Sequence, residues 1–246
     1  VFSAQAQYSW GTHAFMYLNQ LHNAKNAGVG GRLYALNDKE VGSSLDQPAL
    51  LDASLTNQYH TSVGILPSGV HYGSLVSAVK TKWGVFAPYL RYMNYGSFNQ
   101  TNTEGQVTGT FNALDYNIGT SYAYTPNPYF RIGGQLNLLG SHLERFSAFG
   151  FSTHFSALLV HPNQQFVAAL GVRNAGFIFK DYTPQANSML PLDVYAAVSY
   201  RLAHAPFRFH LVGHSLNRSQ NIWLDPNAIA TLDPLTGDTI PVYTPN

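Results

Sequence analysis

The chain has 246 residues, of which 10% are charged and 14% are aromatic, and its formal net charge at pH 7 is +1. Soluble domains carry about 25% charged residues, so this composition is typical of a chain whose surface is not wholly in water. No run of about 18 apolar residues is present, which excludes a transmembrane helix. The small net charge argues against a nucleic-acid partner, and the absence of Cys excludes disulfides and thiolate chemistry.

The first residues have the features of the end of a secretion signal. Ala4-Gln5-Ala6 has the small-x-small pattern that precedes a signal-peptidase cut, and Val1 and Phe2 fit the remainder of an apolar core. This pattern predicts a signal-peptide remnant at 1–6 and a mature chain that begins at Gln7. A chance match is the alternative.

Residues 7–56 differ in composition from the rest of the chain. They are rich in Ala, Leu and Asn and show no period of two, which predicts short helices and loops before a sheet. The glycine cluster at 28–31 lacks the preceding strand and the following acidic residue of a dinucleotide fold, so a tight turn is the better interpretation.

From about residue 57 to residue 216, apolar and polar residues alternate, which predicts about nine antiparallel strands. The stretch 129–140 shows the pattern clearly. Phe130, Ile132, Leu136 and Leu138 share one face, and Arg131, Gln135 and Asn137 share the other. With 16 Tyr, 15 Phe and 21 Gly and no apolar helix, these strands favour an all-β, up-and-down transmembrane β-barrel.

The connections between the strands alternate in length. Tight turns are predicted at 80–82, 125–128, 161–164 and 203–206, and long links at 96–112 and 175–192. A moderate link is predicted near 140–148, and 66–69 is a short exception on the side of the long links. Short turns on one side and longer links on the other are typical of outer-membrane barrels, in which the longer loops face outwards.

The charges decide which face of the strands meets lipid. If Arg131, Arg173 and Arg208 faced lipid, each would cost about 2–4 kcal/mol at the midplane of the bilayer. The Phe-rich face is therefore predicted to meet lipid, and the polar face to line the lumen; a soluble sandwich with an aromatic core is the alternative. The lumen-facing residues are predicted to be Asp115, Asn117, Arg131, Gln135, Asn137, His154, Arg173, Arg208, His210 and His214.

Two further expectations concern side chains near this lumen. We expect Arg131, Arg173 and Arg208 to form ion pairs with Asp115 and Asp193. Several tyrosines near strand ends are expected to form an interfacial aromatic girdle. They are Tyr92, Tyr95, Tyr122, Tyr124, Tyr129, Tyr195 and Tyr200.

The sequence does not predict an enzyme, a cofactor or a metal site. His210 and His214 share one face of a predicted strand, but at about 3.3 Å per residue their Cα atoms lie roughly 13 Å apart, too far to bind one zinc ion. No G-x-S-x-G motif is present, and Asp38/Glu40 and Asp46/Asp52 are pairs in sequence only.

Nine strands are an odd number, whereas bacterial single-chain barrels close with an even number. An open edge in lipid would leave backbone groups unpaired. We therefore expect that 217–246 belongs to an outer loop of an incomplete chain and that several strands follow it.

Several segments resemble one family of proteins. They include YLNQLHNAKNAGVGG (17–31), MNYGSFNQTNTEGQVTGTF (93–111), VRNAGFIFKDYT (172–183), LPLDVYAAVSYRLAHAPFRFHLVGHSLN (190–217) and WLDP (223–226). These segments resemble the PorV/PorQ family of outer-membrane proteins of the type IX secretion system of Bacteroidota, which is related in fold to the FadL transporters. Lys25 and Leu21 depart from the family pattern, which usually has Arg and Pro at these positions.

The resemblance implies a barrel of fourteen strands with the N-terminal segment as a plug in its lumen. It also implies a non-catalytic scaffold that holds a PorZ-like surface protein of the complex that attaches cargo to lipopolysaccharide. Outer-loop residues that could bind this partner are Asn99, Thr101, Lys180, Tyr182 and Asn187. A FadL-like carrier of hydrophobic small molecules and a passive porin are the alternatives.

Overall fold

The computed structural model describes residues 13–66 and 69–217, together with the backbone of 231–232 and 239–240. The predicted signal-peptide remnant at 1–6, the cleavage before Gln7 and most of the predicted outer loop at 217–246 lie outside these residues. Among the described residues, no helix is long and apolar enough to cross a membrane.

Residues 13–56, called the N-terminal segment below, form short helical turns. They contain α1 (Ala24–Gly28) and 3-10 helices at Met16–Asn19, Val41–Leu45, Pro48–Leu50 and Ala53–Leu55. The side chain of Asn23 caps α1 by accepting a hydrogen bond from Lys25 N at 2.8 Å, and that of Asp52 caps the last 3-10 helix through Ser54 N. A sequence without a period of two is thus accommodated in turns stabilised by local hydrogen bonds.

Ten strands form one antiparallel sheet, which confirms the all-β, antiparallel part of the fold prediction. Each strand pairs with the next along the chain, except that β2 and β3 follow one another along the same edge of β4 and together occupy one strand position. A separate pair, β11 (Thr231–Leu232) with β12 (Thr239–Ile240), lies outside the sheet. The sheet contains β1 (Tyr59–Ile65), β2 (His71–Ser77), β3 (Val79–Thr81), β4 (Gly84–Thr101), β5 (Val107–Asn127), β6 (Phe130–Leu143), β7 (Phe146–Val160), β8 (Phe166–Lys180), β9 (Asp193–Arg201) and β10 (Arg208–Gly213).

The sheet is open in the described part of the chain. Its two edges are β1 and β10, and no ladder of hydrogen bonds joins them there. The strand order is that of a simple meander, as predicted, but closure into a barrel is not a property of this sheet.

Several strands are longer, and the long and moderate links between them shorter, than the sequence predicts. The link predicted at 96–112 is reduced to 102–106, because β4 and β5 continue their pairing to Thr101 and Val107. Likewise, the moderate link predicted near 140–148 is a two-residue turn, Glu144-Arg145, and the link at 175–192 is reduced to 181–192. Cross-strand packing explains the first difference, since Phe98 and Phe111 stack with ring centroids 5.4 Å apart.

The two faces of the sheet have different surroundings. The covered face packs against the N-terminal segment, whereas the exposed face carries large apolar side chains open to the surroundings, such as Phe155 (58% exposed), Leu170 (62%) and Phe209 (64%). Three apolar clusters join the segment to the covered face. They are centred on Tyr34, Leu50, Leu158 and Tyr195; on Leu45, Leu55, Val76 and Val85; and on Phe15, Leu18, Leu139 and Ala148.

Candidate functional site

The residues that the sequence places in a lumen lie on the covered face or at its edge. Seven are at most 7% exposed: Asp115, Asn117, Arg131, Gln135, Asn137, His154 and Arg173. Arg208 and His210 are half-buried on β10, the edge strand, and His214 lies just beyond the end of β10 and is exposed. Burial on the covered face is therefore nearly complete for the first seven, partial for Arg208 and His210, and small for His214.

A buried carboxylate, Asp46 of the N-terminal segment, lies at the centre of the covered face. Asp46 is 3% exposed, and its Oδ2 accepts a hydrogen bond from Asn26 Nδ2 at 2.8 Å. Its Oδ1 lies 3.6 Å from Arg32 Nε and 3.8 Å from Arg173 Nη2. Burial raises the pKa of this carboxyl, but the positive charges of Arg32, Arg173 and Arg91 outweigh burial and lower it below its ordinary value. Asp46 therefore stays ionised and links the segment to β8.

Two stacked tyrosines lie beside this carboxylate. The rings of Tyr34 and Tyr195 are 3.8 Å apart between centroids and 15° from parallel. The Tyr195 hydroxyl donates to Gln47 Oε1 at 2.5 Å, so the 2.9 Å contact with His154 Nε2 has the imidazole N–H as donor. Arg173 Nη1 donates to the Tyr34 hydroxyl at 2.8 Å. The prediction that Tyr195 belongs to an interfacial girdle is wrong, because its ring is buried inside the covered face.

Polar contacts continue at the end of the sheet where the links are short. Arg131 Nη2 lies 2.9 Å from Asp52 Oδ2, and Arg131 Nη1 donates to Asn37 Oδ1 at 3.2 Å. Gln135 Nε2 donates to the carbonyl of Leu45 at 3.3 Å. These side chains bind the last helical turns of the N-terminal segment to β6.

The backbone of the N-terminal segment also approaches the sheet closely at Gly133. A Cβ atom at this position would lie 2.1 Å from Ala49 N and 2.4 Å from Pro48 C. Ala49 N donates to Ser156 Oγ at 3.2 Å on the neighbouring β7. Only glycine leaves room for this contact, whereas a Cβ at the adjacent Gly134 would have no neighbour within 4 Å.

The expected ion pairs within the sheet are not the ones that form. In the described part of the chain, Arg131 and Arg173 pair with carboxylates of the N-terminal segment, and Arg208 Nη1 donates to Ser199 Oγ at 2.9 Å. Asp115 Oδ2 accepts from the Tyr95 hydroxyl at 2.6 Å, and Asp193 Oδ1 accepts from Ser215 N at 2.6 Å. Of the three predicted cations, Arg131 and Arg173 form ion pairs, but with carboxylates that lie far away in the chain. Arg208 bonds a hydroxyl instead.

The N-terminal segment runs along the whole covered face. Ala14 N donates to the Met189 carbonyl at 3.1 Å, and the Tyr17 hydroxyl donates to the Tyr116 carbonyl at 2.7 Å, both near the end with the longer links. At the opposite end, Asn57 N donates to the Ala78 carbonyl at 2.8 Å as the chain enters β1. The segment thus fills the space beside the sheet from one end to the other.

The five predicted partner-binding residues lie near the end with the longer links. Asn99 and Thr101 are exposed, but they belong to β4 and not to a loop. Lys180 is the exposed last residue of β8, and its Nζ donates to Ser147 Oγ at 2.8 Å. Asn187 is exposed in the 181–192 link, whereas Tyr182 is half-buried and donates to Ser141 Oγ at 2.6 Å.

The 181–192 link has a defined internal structure. The Asp181 carboxylate accepts hydrogen bonds from Tyr182 N and Ser188 N, both at 2.8 Å, and from Ser188 Oγ at 3.2 Å. Although partial burial raises the pKa of Asp181, these hydrogen bonds lower it below its ordinary value. The ionised carboxylate therefore closes the base of the link and leaves 183–187 as its tip.

A groove with a volume of about 640 Å³ lies between the N-terminal segment and the β10 edge. Leu21, Val29 and Leu33 provide apolar walls, and Arg208 and His210 provide polar ones. His210 Nε2 accepts a hydrogen bond from Ala35 N at 3.2 Å. This hydrogen bond holds the N-terminal segment against β10. Within the described ranges, no group of three or more His, Asp or Glu residues is arranged to hold a metal ion.

Comparison with protein-family models and with curated proteins found no match to this chain. Its function is therefore inferred from the geometry of its two faces and of its links.

Proposed function

We propose that this chain is an outer-membrane protein whose sheet is part of a transmembrane β-barrel. The observation that carries the proposal is that apolar side chains of the sheet are exposed while charged and polar ones are buried, the reverse of a water-soluble protein. On β6, Ile132, Leu136 and Leu138 are exposed while Arg131 and Gln135 are buried. A protein in water would gain free energy by burying the apolar set, at about 25 cal/mol per Å². In a bilayer the exposed apolar side chains contact lipid, so no free energy is lost by leaving them on the outside of the sheet.

In this proposal the barrel is closed by further strands between β10 and β1. The edge strands have unpaired backbone groups, and the bilayer core contains no water to satisfy them. The fourteen strands of the family that the sequence resembles would supply the additional strands. The N-terminal segment then occupies the lumen as a plug, in keeping with its burial against the covered face.

Single-cysteine labelling tests the membrane placement, because the chain has no Cys of its own. A spin label at Phe155→Cys or Leu170→Cys is expected to be accessible to oxygen dissolved in lipid but not to a water-soluble nickel complex. A label at Asn163→Cys, in the exposed link between β7 and β8, should show the reverse. Water accessibility at all three positions would reject the membrane placement.

We further propose that the protein is a non-catalytic scaffold of the type IX secretion system, holding a PorZ-like surface protein beside lipopolysaccharide. The 181–192 link and the extended β4–β5 hairpin support this role. Both present exposed, neutral polar side chains, such as Asn99, Thr101 and Asn187, on ordered backbone. Ordered contact residues lose little conformational entropy on binding, which favours a stable complex.

Replacement of the tip 183–187 by Gly-Ser residues tests the scaffold role. Asp181 and Ser188, which close the link, stay in place, so the barrel is expected to fold while the surface partner is lost from the cell. A second variant replaces 102–106, the tip of the β4–β5 hairpin, in the same way. Partner retention in both variants would exclude these tips as the tether, and normal cargo attachment in a strain without the protein would reject the scaffold role.

The groove beside the N-terminal segment favours a second candidate, a FadL-like carrier of hydrophobic small molecules. Its apolar walls at Leu21, Val29 and Leu33 could accommodate an acyl chain. A fluorescent fatty acid is the appropriate probe. Saturable binding that Val29→Asp abolishes would favour the carrier, whereas the scaffold proposal predicts no saturable binding.

A further inference from the structure

Arg91 of β4 carries a buried positive charge that no carboxylate in the described part of the chain contacts. It is 3% exposed, and its Nε and Nη1 have no hydrogen-bond partner among the described residues. Its Nη2 reaches only the Tyr89 hydroxyl, at 3.5 Å. Among residues 13–66 and 69–217, no carboxylate oxygen lies within 4.0 Å of an Arg91 nitrogen. Because a guanidinium stays protonated in proteins, a full charge lies here without a counter-charge in contact.

The neighbours of Arg91 are neutral side chains. Asn117 lies directly opposite it on β5, is 0% exposed and, within the described ranges, has no partner for either side-chain amide atom. His22 of the N-terminal segment is also buried, and burial together with the charge of Arg91 lowers its pKa to about 3. The imidazole is therefore neutral. The Tyr89 ring lies 5.0 Å from the guanidinium carbon.

The nearest acidic residues already have partners. Asp46 is held by Arg32 and Arg173, as described above. Asp115 lies diagonally across β4 and β5 from Arg91, a relation that separates the two residues by about 7–8 Å, and it accepts from the Tyr95 hydroxyl. Among the described residues, neither carboxylate contacts Arg91, and Asp46 attracts it only across a distance. Burial of a charge costs several kcal/mol when hydrogen bonds and counter-charges do not compensate it in full.

We propose that Arg91 and Asn117 form an internal binding site for a small anion of halide size, between β4, β5 and the N-terminal segment. The N–H groups of Arg91 Nε, Arg91 Nη1 and Asn117 Nδ2 provide its donors. Tyr89, His22 and Asn117 are all buried around the site, which separates it from bulk water, and a monatomic anion is the smallest ion that supplies a full counter-charge. The anion supplies the missing counter-charge, so its binding stabilises the folded chain and holds the N-terminal segment in place.

Bromide diffraction tests the site without any substitution. In crystals of the whole protein grown in bromide, an anomalous peak is expected within about 3.5 Å of Arg91 Nε or Nη1, a typical distance for an N–H donor to a large anion. Ordered water at that position, which gives no anomalous peak, would overturn the proposal. Peaks confined to the protein surface would overturn it as well.

Thermal unfolding at constant ionic strength tests the site in solution. When bulky gluconate is replaced by chloride, the Tm is expected to rise saturably, by about 5 °C at 100 times the dissociation constant. Arg91→Met should abolish this rise, whereas Arg131→Met, which removes a cation paired with Asp52, should retain it. An equal Tm in both salts for the unsubstituted protein, or a rise that persists in Arg91→Met, would overturn the site. If Arg91→Met does not fold, the bromide crystal decides.

Discussion

Replacement of Asp46 by Asn is the most direct test of how the N-terminal segment is held. The variant keeps the shape of the side chain and one acceptor oxygen but removes the negative charge between Arg32 and Arg173. Arg173 is 2% exposed, so solvent cannot replace the lost counter-charge. Breaking a buried ion pair by removing one partner typically costs about 3–5 kcal/mol, a large part of a net stability of about 5–15 kcal/mol.

The pH dependence of stability provides a second signature of this carboxylate. The folded pKa of Asp46 lies below its ordinary value, so its contribution is complete above the unfolded pKa of about 3.9. This contribution is lost as the pH falls through the folded pKa, because the carboxylate must then bind a proton. The Asn variant should lack this part of the acid transition.

Urea unfolding followed by circular dichroism, in the detergent used for purification, measures how much Asp46→Asn lowers the free energy of unfolding. A double-mutant cycle with Arg173→Met should give a loss about 1–3 kcal/mol smaller than the sum of the single losses, because the two side chains interact. Glu104→Gln, in the exposed 102–106 link, is the control and should stay within about 0.5 kcal/mol. A loss below about 1 kcal/mol for Asp46→Asn, or strictly additive losses, would refute the ion pair as the tether.

Three further outcomes test the packing of the two faces. Gly133→Ala should destabilise the fold by about 1–3 kcal/mol because its Cβ meets the backbone of the N-terminal segment, whereas Gly134→Ala should be nearly neutral in the same urea assay. In the folded protein His22 is neutral, with a pKa near 3, so the free energy of unfolding should fall as the pH drops from about 6.5 towards 3. His22→Gln should reduce the slope of this fall by about 1.4 kcal/mol per pH unit. An unchanged slope would contradict the burial of His22. If the exposed face meets lipid, Phe155→Arg should lower the free energy of unfolding in bilayers by about 2–4 kcal/mol. Phe207→Arg, in the link before β10, should lower it by less than about 1 kcal/mol. Equal effects would argue against the proposed depth of Phe155 in the bilayer.

The N-terminal segment and the sheet depend on each other for their polar groups. The segment has too few residues in helices to provide hydrogen-bond partners for all of its own backbone groups. The covered face carries many polar side chains, which would need water as a partner without the segment. Contacts such as Ser199 Oγ to the Ala35 carbonyl, at 2.6 Å, satisfy both partners. We therefore expect the segment to dock while the sheet folds and not afterwards.

The period of two was sufficient to assign faces, since successive side chains of a strand point to opposite sides. Arg131 and Ile132 are adjacent in sequence, yet the first is buried on the covered face and the second is exposed. The same reasoning placed Asn117, His154 and Arg173 on the covered face. No distant information was needed, because the pattern is local.

The positions at which the strands end could not be predicted from the local sequence. Gly, Asn and Thr at 96–112 carry the usual signals of a loop, and they predicted a link where β4 and β5 continue their pairing. The stacking of Phe98 on Phe111, together with the cross-strand pairing of Asn99 with Thr110, extends that pairing. Such cross-strand contacts form only after the hairpin has folded, so propensity alone underestimates the strands.

By itself, the sequence determined the class of the fold, the meander of its strands and the side of the sheet on which polar residues such as Asn117, Arg131 and Arg173 lie. Only the tertiary structure decided which charges are paired. It joined Arg173 to Asp46 and Arg131 to Asp52, and it left Arg91 without a contact to any carboxylate of the described residues. Ion pairing depends on distances of a few ångströms between side chains far apart in sequence, and the path of an irregular segment sets those distances. That path has no periodic signal from which it could be predicted.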